Sequence, residues 1–326
     1  MAVHTAAILH LSDLHLGKSF NDIGMNATDV QRTVRSLWAR GGLVMQAHDP
    51  FIVASLYTNI KMAARQLGLG NDAFDVMVVT GDISTSADSE ERFEFARKFL
   101  TNSFKHENMD VGLQFPIDSV ICVPGNHDKM NEQTCNRYLA HFSDLPNRPP
   151  YIVEKRCHKT RFVFYGIDSN LYEEGNVAKG HVTAATLAWL TEQKYAAQKK
   201  DETEPAPIRI LLLHHHPCDL NKFRKRTFQG LLTGRLSRLD QGERILDLCR
   251  DWVNVIMHGH EHFPITFRDE TSGIVIVSGG TTSESHLQND RNSFSALVFM
   301  ENCLTVSEFR WSGGSFRKYR VSNWLL

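Results

Sequence analysis

The chain has 326 residues, 42% hydrophobic and 22% charged, with a formal net charge of -1. That balance is the one an ordinary globular protein shows, and the near-neutral charge excludes a global pull toward nucleic acid or an acidic membrane. No apolar run approaches the roughly 20 residues a membrane-spanning helix needs.

The N-terminus lacks a basic region and soon turns polar, so it reads as a first strand rather than a signal peptide. That strand is "AAILHL" (6–11). Helical spacing follows at 29–40 and 51–68, then a strand "FDVMVVT" (74–80). Residues 88–104 predict a helix with Asp88 at its N-cap and an acidic first turn. Residues 105–117 read as a surface insertion before the strand "DSVICVP" (118–124). A strand "RFVFYGI" (161–167) precedes a Thr-capped helix over 183–198. A short charged joint, 199–207, leads to "IRILLL" (208–213). A helix over 240–251 and a strand "WVNVIMH" (252–258) follow, and the tail reads as consecutive antiparallel strands. Short apolar strands alternating with helices predict an α/β fold buried on both faces of its sheets. The strands outnumber what one sheet usually holds, so two sheets are expected. We read residues 1–326 as one domain, with the strands from about 264 completing the second sheet.

The six cysteines, at 122, 135, 157, 218, 249 and 303, contain no C-x-x-C pair. They read as reduced thiols in a cytoplasmic protein. The sequence leaves a homo-oligomer open, and nothing in it calls for a membrane.

The polar residues gather just past strand ends. Asp13 and His15 follow the first strand, Asp82 the second, and Asn126, His127 and Asp128 the third. His214, His215 and His216 follow 208–213, and His260 and His262 follow 252–258. In an open α/β sheet such ends converge on one edge, where ligands bind. Residues two apart in extended backbone point the same way, so Asp13-x-His15 and His260-x-His262 can each chelate from one side. Imidazoles mixed with carboxylates suit Mn, Fe or Zn better than Ca or Mg. The donors exceed the need of one ion, and Asp82 has two oxygens to bridge two ions. Pro217 holds His216 extended, so either His215 or the pair His214 and His216 faces the metals. His10 and His258 read as strand residues packed nearby.

The series Asp13-x-His15, Gly81-Asp82, Gly125-Asn126-His127-Asp128, a histidine before Pro217, and Gly259-His260-x-His262 resembles the calcineurin-like metallophosphoesterase superfamily, in the family's order. The resemblance implies a four-layer αββα sandwich, two mixed sheets flanked by helices. It implies two divalent metal ions as cofactors. One would be held by Asp13, His15, Asp82 and His262. The other would be held by Asp82, Asn126, His260 and a histidine of 214–216, which the family pattern makes His215. It implies a metal-dependent phosphoric ester hydrolase in which a metal-bridging hydroxide attacks phosphorus. His127 would serve as proton donor or charge stabiliser at the leaving group. Asp128 is assigned beside it, accepting a hydrogen bond from His127 or a metal-bound histidine.

Departures narrow the class. "GDISTSAD" and "GNHD" lack the arginine and glutamate of the Ser/Thr protein phosphatases, and His127 stands where lipid A-precursor hydrolases carry arginine. "GHVTAATLAWLTEQ" resembles the cyclic-nucleotide and glycerophosphodiester phosphodiesterase branch, whereas "ILHLSDLHLGKSF" is similar to SbcD-type DNA nucleases. The nucleases normally add a capping domain; this tail reads as strands. A small phosphodiester or phosphomonoester, or a nucleotide, is therefore the expected substrate. DNA is the alternative, and a non-catalytic metal-binding interaction scaffold the third reading. Lys222, Arg224 and Arg226, with Lys225 and Arg235, form a basic stretch that suits an anionic substrate, and Phe20, Asn21 and His286 are candidates for the rim.

Overall fold

The structure, a computed structural model, describes residues 6–17, 49–106, 109–129, 132–142, 148–170, 179–223, 239–283 and 291–326. The helix expected over 29–40 lies outside them.

Among the described residues the strands are β1 (Ala6–Leu11), β2 (Val76–Thr80), the short pair β3 (Lys105–His106) and β4 (Met109–Asp110), β5 (Val120–Val123), β6 (Tyr151–Cys157), β7 (Thr160–Gly166), β8 (Ile208–Leu212), β9 (Val255–His258), β10 (Ile265–Arg268), β11 (Val275–Ser278), β12 (Ser293–Met300), β13 (Cys303–Ser312) and β14 (Ser315–Leu325). The helices are α1 (Pro50–Gln66), α2 (Glu90–Thr101), α3 (Glu132–His141), α4 (Ala184–Asp201) and α5 (Gly242–Cys249).

Two mixed sheets of six strands carry the fold, in the orders β14-β13-β12-β1-β2-β5 and β10-β11-β9-β8-β7-β6. In the first, β1, β2 and β5 run parallel while β12 to β14 form an antiparallel meander on β1. In the second, β7, β8, β9 and β11 run parallel between antiparallel edges β6 and β10.

Side-chain alternation assigns the layers. Ile8, Val78, Ile121, Ile210, Val255, Met257 and Phe299 pack between the sheets. Leu9, Leu11 and Val79, on the other face of the first sheet, meet Leu56 and Ile60 of α1 and Phe93 and Phe99 of α2. Leu211, Ile256 and Ile276 meet Leu187 and Leu190 of α4 and Ile245 of α5. The result is the expected four-layer sandwich.

Local details differ from the sequence reading. The tail strands do not all complete the second sheet. β10 and β11 join it, with β11 parallel to β9, while β12 to β14 extend the first sheet. The register of β12 on β1, Ile8 against Leu297, brings Leu297 and Phe299 into the space between the sheets, where both are buried. Residues 105–117 are more than an insertion, because Val111, Leu113 and Phe115 are buried against α2's side of the core. Ser89, not Asp88, caps α2, and it makes no side-chain capping bond. Asp88 instead pairs with Arg92 Nε at 2.8 Å.

Candidate metal centre

The ends of β1, β2 and β5 from one sheet and β8 and β9 from the other open onto a common edge. Beyond the strands, the loops stay stitched together. Asp13 N donates to Gly81 O (3.1 Å), His15 N to Asp82 O (2.9 Å) and Leu16 N to Ile83 O (2.8 Å). Within the second sheet, just past β8 and β9, Gly259 N donates to His214 O at 3.0 Å. Within each sheet the donor-bearing turns are thus joined backbone to backbone, and side chains tie the two sets together, as where His260 N donates to Asp13 Oδ2 at 3.1 Å.

The two-residue spacings work differently from the extended-strand expectation. Asp13 (φ 52), His15 (φ 48), Asp82 (φ 49), His260 (φ 75) and His262 (φ 49) are all in the left-handed region. Asp and His enter it more readily than most residues, but each still costs about 1–3 kcal/mol, which the surroundings must offset. At Asp13 the offsets are visible. Thr281 Oγ1 donates to its carbonyl (2.9 Å), and its Oδ2 accepts the His260 N–H (3.1 Å).

Three overlapping groups of donors result: Asp13, His15 and His262; His15, Asp82 and His127; and Asp82, His214 and His260, with the donor atoms of each group within 4.8 Å of one another. Asp82 belongs to two of the groups. His262 Nε2 stands 3.3 Å from Asp13 Oδ1 and 3.4 Å from His15 Nε2. His214 Nε2 stands 3.3 Å from Asp82 Oδ2 and 3.2 Å from His260 Nδ1. Asn126 Oδ1 lies 3.0 Å from both His214 Nε2 and His260 Nδ1.

These residues fit metal ions. Ring nitrogens converge on ring nitrogens, an arrangement in which neutral imidazoles present lone pairs to each other. Asp13 Oδ1 is fully buried, and among the described residues its only close polar neighbour is the His262 ring nitrogen at 3.3 Å. Burial opposes ionisation of Asp13, but His262 outweighs it and holds the carboxyl below its usual range. Burial likewise opposes ionisation of Asp82, and His214 and His127 overcome it. Burial pulls His214 down, but Asp82 beside it dominates and holds it at about 9. The cluster thus keeps anions in a dry place by crowding positive charge around them, as ions would.

The histidine triple resolves against the family pattern. The structure turns His214, not His215, toward Asp82 and Asn126. The physical reason is a bend. His214 N and His215 N both donate to Ser169 Oγ, at 3.2 and 3.1 Å, so the segment is not extended there. The His215 ring turns to Ser169, with Nδ1 3.0 Å from Oγ. His10 and His258 are buried close by; burial lowers them to about 3 and about 4.

Asp128 does not serve His127. Its carboxylate accepts Ile83 N (3.1 Å), Ser84 N (2.9 Å), Ser84 Oγ (3.2 Å) and Gly125 N (3.0 Å), which occupies both oxygens. Burial and then Asp82 push it up to about 6, against those backbone donors. Asp128 is a clamp between the loop after β2 and the loop after β5. His127 is oriented instead by Thr85, whose carbonyl accepts from Nδ1 at 2.8 Å. Its backbone N–H donates to Asp82 Oδ1, also at 2.8 Å.

Of the basic stretch, Lys222 lies in a short turn, Leu220–Phe223. Arg224, Lys225, Arg226 and Arg235, with Phe20, Asn21 and His286, fall outside the described residues. The sequence reading missed Asp168, Ser169 and Asn170, which follow β7. Asp168 Oδ2 pairs with Lys129 Nζ at 2.5 Å, and Asn170 Nδ2 donates to Pro124 O at 3.1 Å. The strand-end rule that found the other clusters applies equally to "RFVFYGIDSN". Thr281 was also missed, since a lone threonine after a tail strand carries no signal.

Fold and cluster together define a metal-dependent phosphoesterase. The chain belongs to the calcineurin-like phosphoesterase family, whose profile matches residues 6–264. Among solved structures it is similar to a dimetal phosphatase from Danio rerio, with 14% identity, TM-score 0.56, and coverage of 98% of this chain and 99% of that one. It is also similar to the phosphopantetheinyl hydrolase of Mycobacterium tuberculosis, with 13% identity, TM-score 0.41, and 86% and 92% coverage. The calcineurin-like phosphoesterase YfkN of Bacillus subtilis gives 13% identity, TM-score 0.40, and 100% and 91% coverage. A search of curated protein sequences returns no match.

Proposed function

We propose that the protein is a two-metal hydrolase of a small phosphodiester or nucleotide. The observation that carries this reading is Asp82, whose carboxylate belongs to donor groups on both sides of it. Asp13, His15, Asp82 and His262 would hold one ion, and Asp82, Asn126, His214 and His260 the other. Mn, Fe or Zn matches this donor set. Two such ions supply an activated water and neutralise charge on the phosphoryl oxygens.

The chain's own contribution is orientation and proton supply. The Thr85 carbonyl only accepts, so His127 Nδ1 carries a hydrogen and Nε2 is left for the substrate. Half-exposed beside His15 and Asp82, His127 is placed to protonate a leaving oxygen. Asp128 fixes the loop that carries it. The likeness of residues 180–193 to the diesterase branch supports a diester over a monoester. No helix among the described residues is long and apolar enough to cross a membrane. Among the described residues no cysteine pair forms a disulfide, which suits a reducing, cytoplasmic setting.

The test is metal-stripped protein reloaded with Mn²⁺ and offered bis-p-nitrophenyl phosphate, p-nitrophenyl phosphate, cyclic nucleotides, dinucleotides, glycerophosphodiesters and DNA. Cleavage of the diesters, abolished in Asp82→Asn, is expected. Preference for DNA would favour the nuclease reading. Two bound ions without turnover on any substrate would make the protein a metal-binding scaffold.

A further inference from the structure

We propose that Ser169 is a positioning residue that selects which histidine of 214–216 enters the metal cluster. The inference rests on the two-metal reading. Ser169 is fully buried, three residues past the end of β7 and beside the end of β8. Its Oγ receives the N–H groups of His214 (3.2 Å) and His215 (3.1 Å). A serine hydroxyl has two lone pairs and one hydrogen. With both lone pairs taken, its hydrogen goes to His215 Nδ1, 3.0 Å away. One hydroxyl therefore bends the backbone and also pins the second histidine by its ring.

The consequence for the ring is specific. His215 Nδ1 accepts, so Nε2 carries the hydrogen, and it is buried without a hydrogen-bond partner among the described residues. A ring so held offers no lone pair to a metal. Gly180 closes the other side, because a Cβ there would stand 2.6 Å from His215 Cβ. The His215 ring still packs on His260, 4.3 Å between centroids, but it is His214 that faces Asp82 and Asn126 with Nε2, its Nδ1 tied to Thr80 O (2.7 Å). Without Ser169, nothing in the sequence "HHHP" prefers the first histidine over the second.

The experiment counts and titrates Mn²⁺ on the metal-free full chain by elemental analysis and electron paramagnetic resonance. Wild type is expected to take two ions, His214→Ala to lose the second, and His215→Ala to keep both. Ser169→Ala is expected to weaken the second ion about 10- to 100-fold, the usual effect of removing a partner that orients a ligand. It should leave the first ion unchanged, and Ser169→Thr should restore binding. The double variant Ser169→Ala with His214→Ala should hold the second ion more tightly than His214→Ala alone, because the released His215 can then turn inward. A merely structural serine would give no such gain. If Ser169→Ala does not fold, Ser169→Cys, equal in shape and a weak acceptor, is read the same way. Unchanged affinity in these variants, no gain in the double variant, or loss of the ion in His215→Ala but not His214→Ala would overturn the selection. A wild-type chain that takes up no Mn²⁺ would overturn the two-metal reading itself.

Discussion

His127 Nδ1 donates to the carbonyl oxygen of Thr85 across 2.8 Å, which leaves its other nitrogen toward the donor cluster. A proton donor at the leaving group contributes about 10²- to 10⁴-fold. His127→Ala should lower kcat by that amount on a diester with a poor leaving group, and far less on p-nitrophenyl esters, which leave unaided. Bound metal, counted by elemental analysis, should stay at the wild-type level. Loss of both ions would make His127 a ligand instead.

Asp128→Asn tests the clamp. The amide keeps one accepting oxygen and sets an NH₂ against backbone donors that both carboxylate oxygens now satisfy. Leaving buried donors unpaired costs about 1–3 kcal/mol. Chemical denaturation should show that loss, with kcat per folded, metal-loaded molecule close to wild type. A collapse of kcat at unchanged stability would restore a chemical role to this carboxylate.

Proton competition should govern metal uptake. Burial disfavours a charged His214, but Asp82 holds it at about 9, above the ordinary 6.5. Its folded value is raised, so in metal-free protein its charge stabilises the fold fully below about 6.5. That stability drains away as pH rises toward 9. Metal needs the neutral ring, so binding expels a proton and affinity climbs with pH up to about 9. Calorimetry of Mn²⁺ binding at pH 7.5 in buffers of different ionisation enthalpy should show proton release. Thermal melts should show metal-free protein weakening from pH 6.5 to 9 while the loaded protein does not.

Gly125 lies directly against the shared carboxylate. A Cβ there would lie 2.1 Å from Asp82 Oδ1 and 2.2 Å from Asp82 N. Gly125→Ala must push the shared carboxylate aside. We expect both ions to bind weakly and activity to fall below a hundredth, with a far-ultraviolet circular dichroism spectrum like wild type. Normal metal content would show that the loop yields without moving Asp82.

Much of this site is legible before folding. Short apolar strands ending in Asp, Asn or His place those residues at one sheet edge, and Asp13, Asp82, Asn126, His260 and His262 are found there. The rest depended on hydrogen bonds between distant segments. His214 displaces His215 because of a hydroxyl 45 residues away. Asp128 spends its oxygens on the loop after β2 rather than on its neighbour, since that loop's N–H groups point inward and need acceptors. The tail strands part between two sheets because the one beginning at Ser293 runs back along β1, a pairing that alternation alone does not specify.

The left-handed backbone at Asp13, His15, Asp82, His260 and His262 changes how this centre should be dissected. An alanine at any of them removes a donor and also forfeits a side chain that tolerates the turn, so its cost mixes lost ligation with a relaxing loop. Asparagine accepts the same torsion at little expense. Comparing asparagine with alanine at each position would separate what the side chain gives the ion from what the turn demands of the residue.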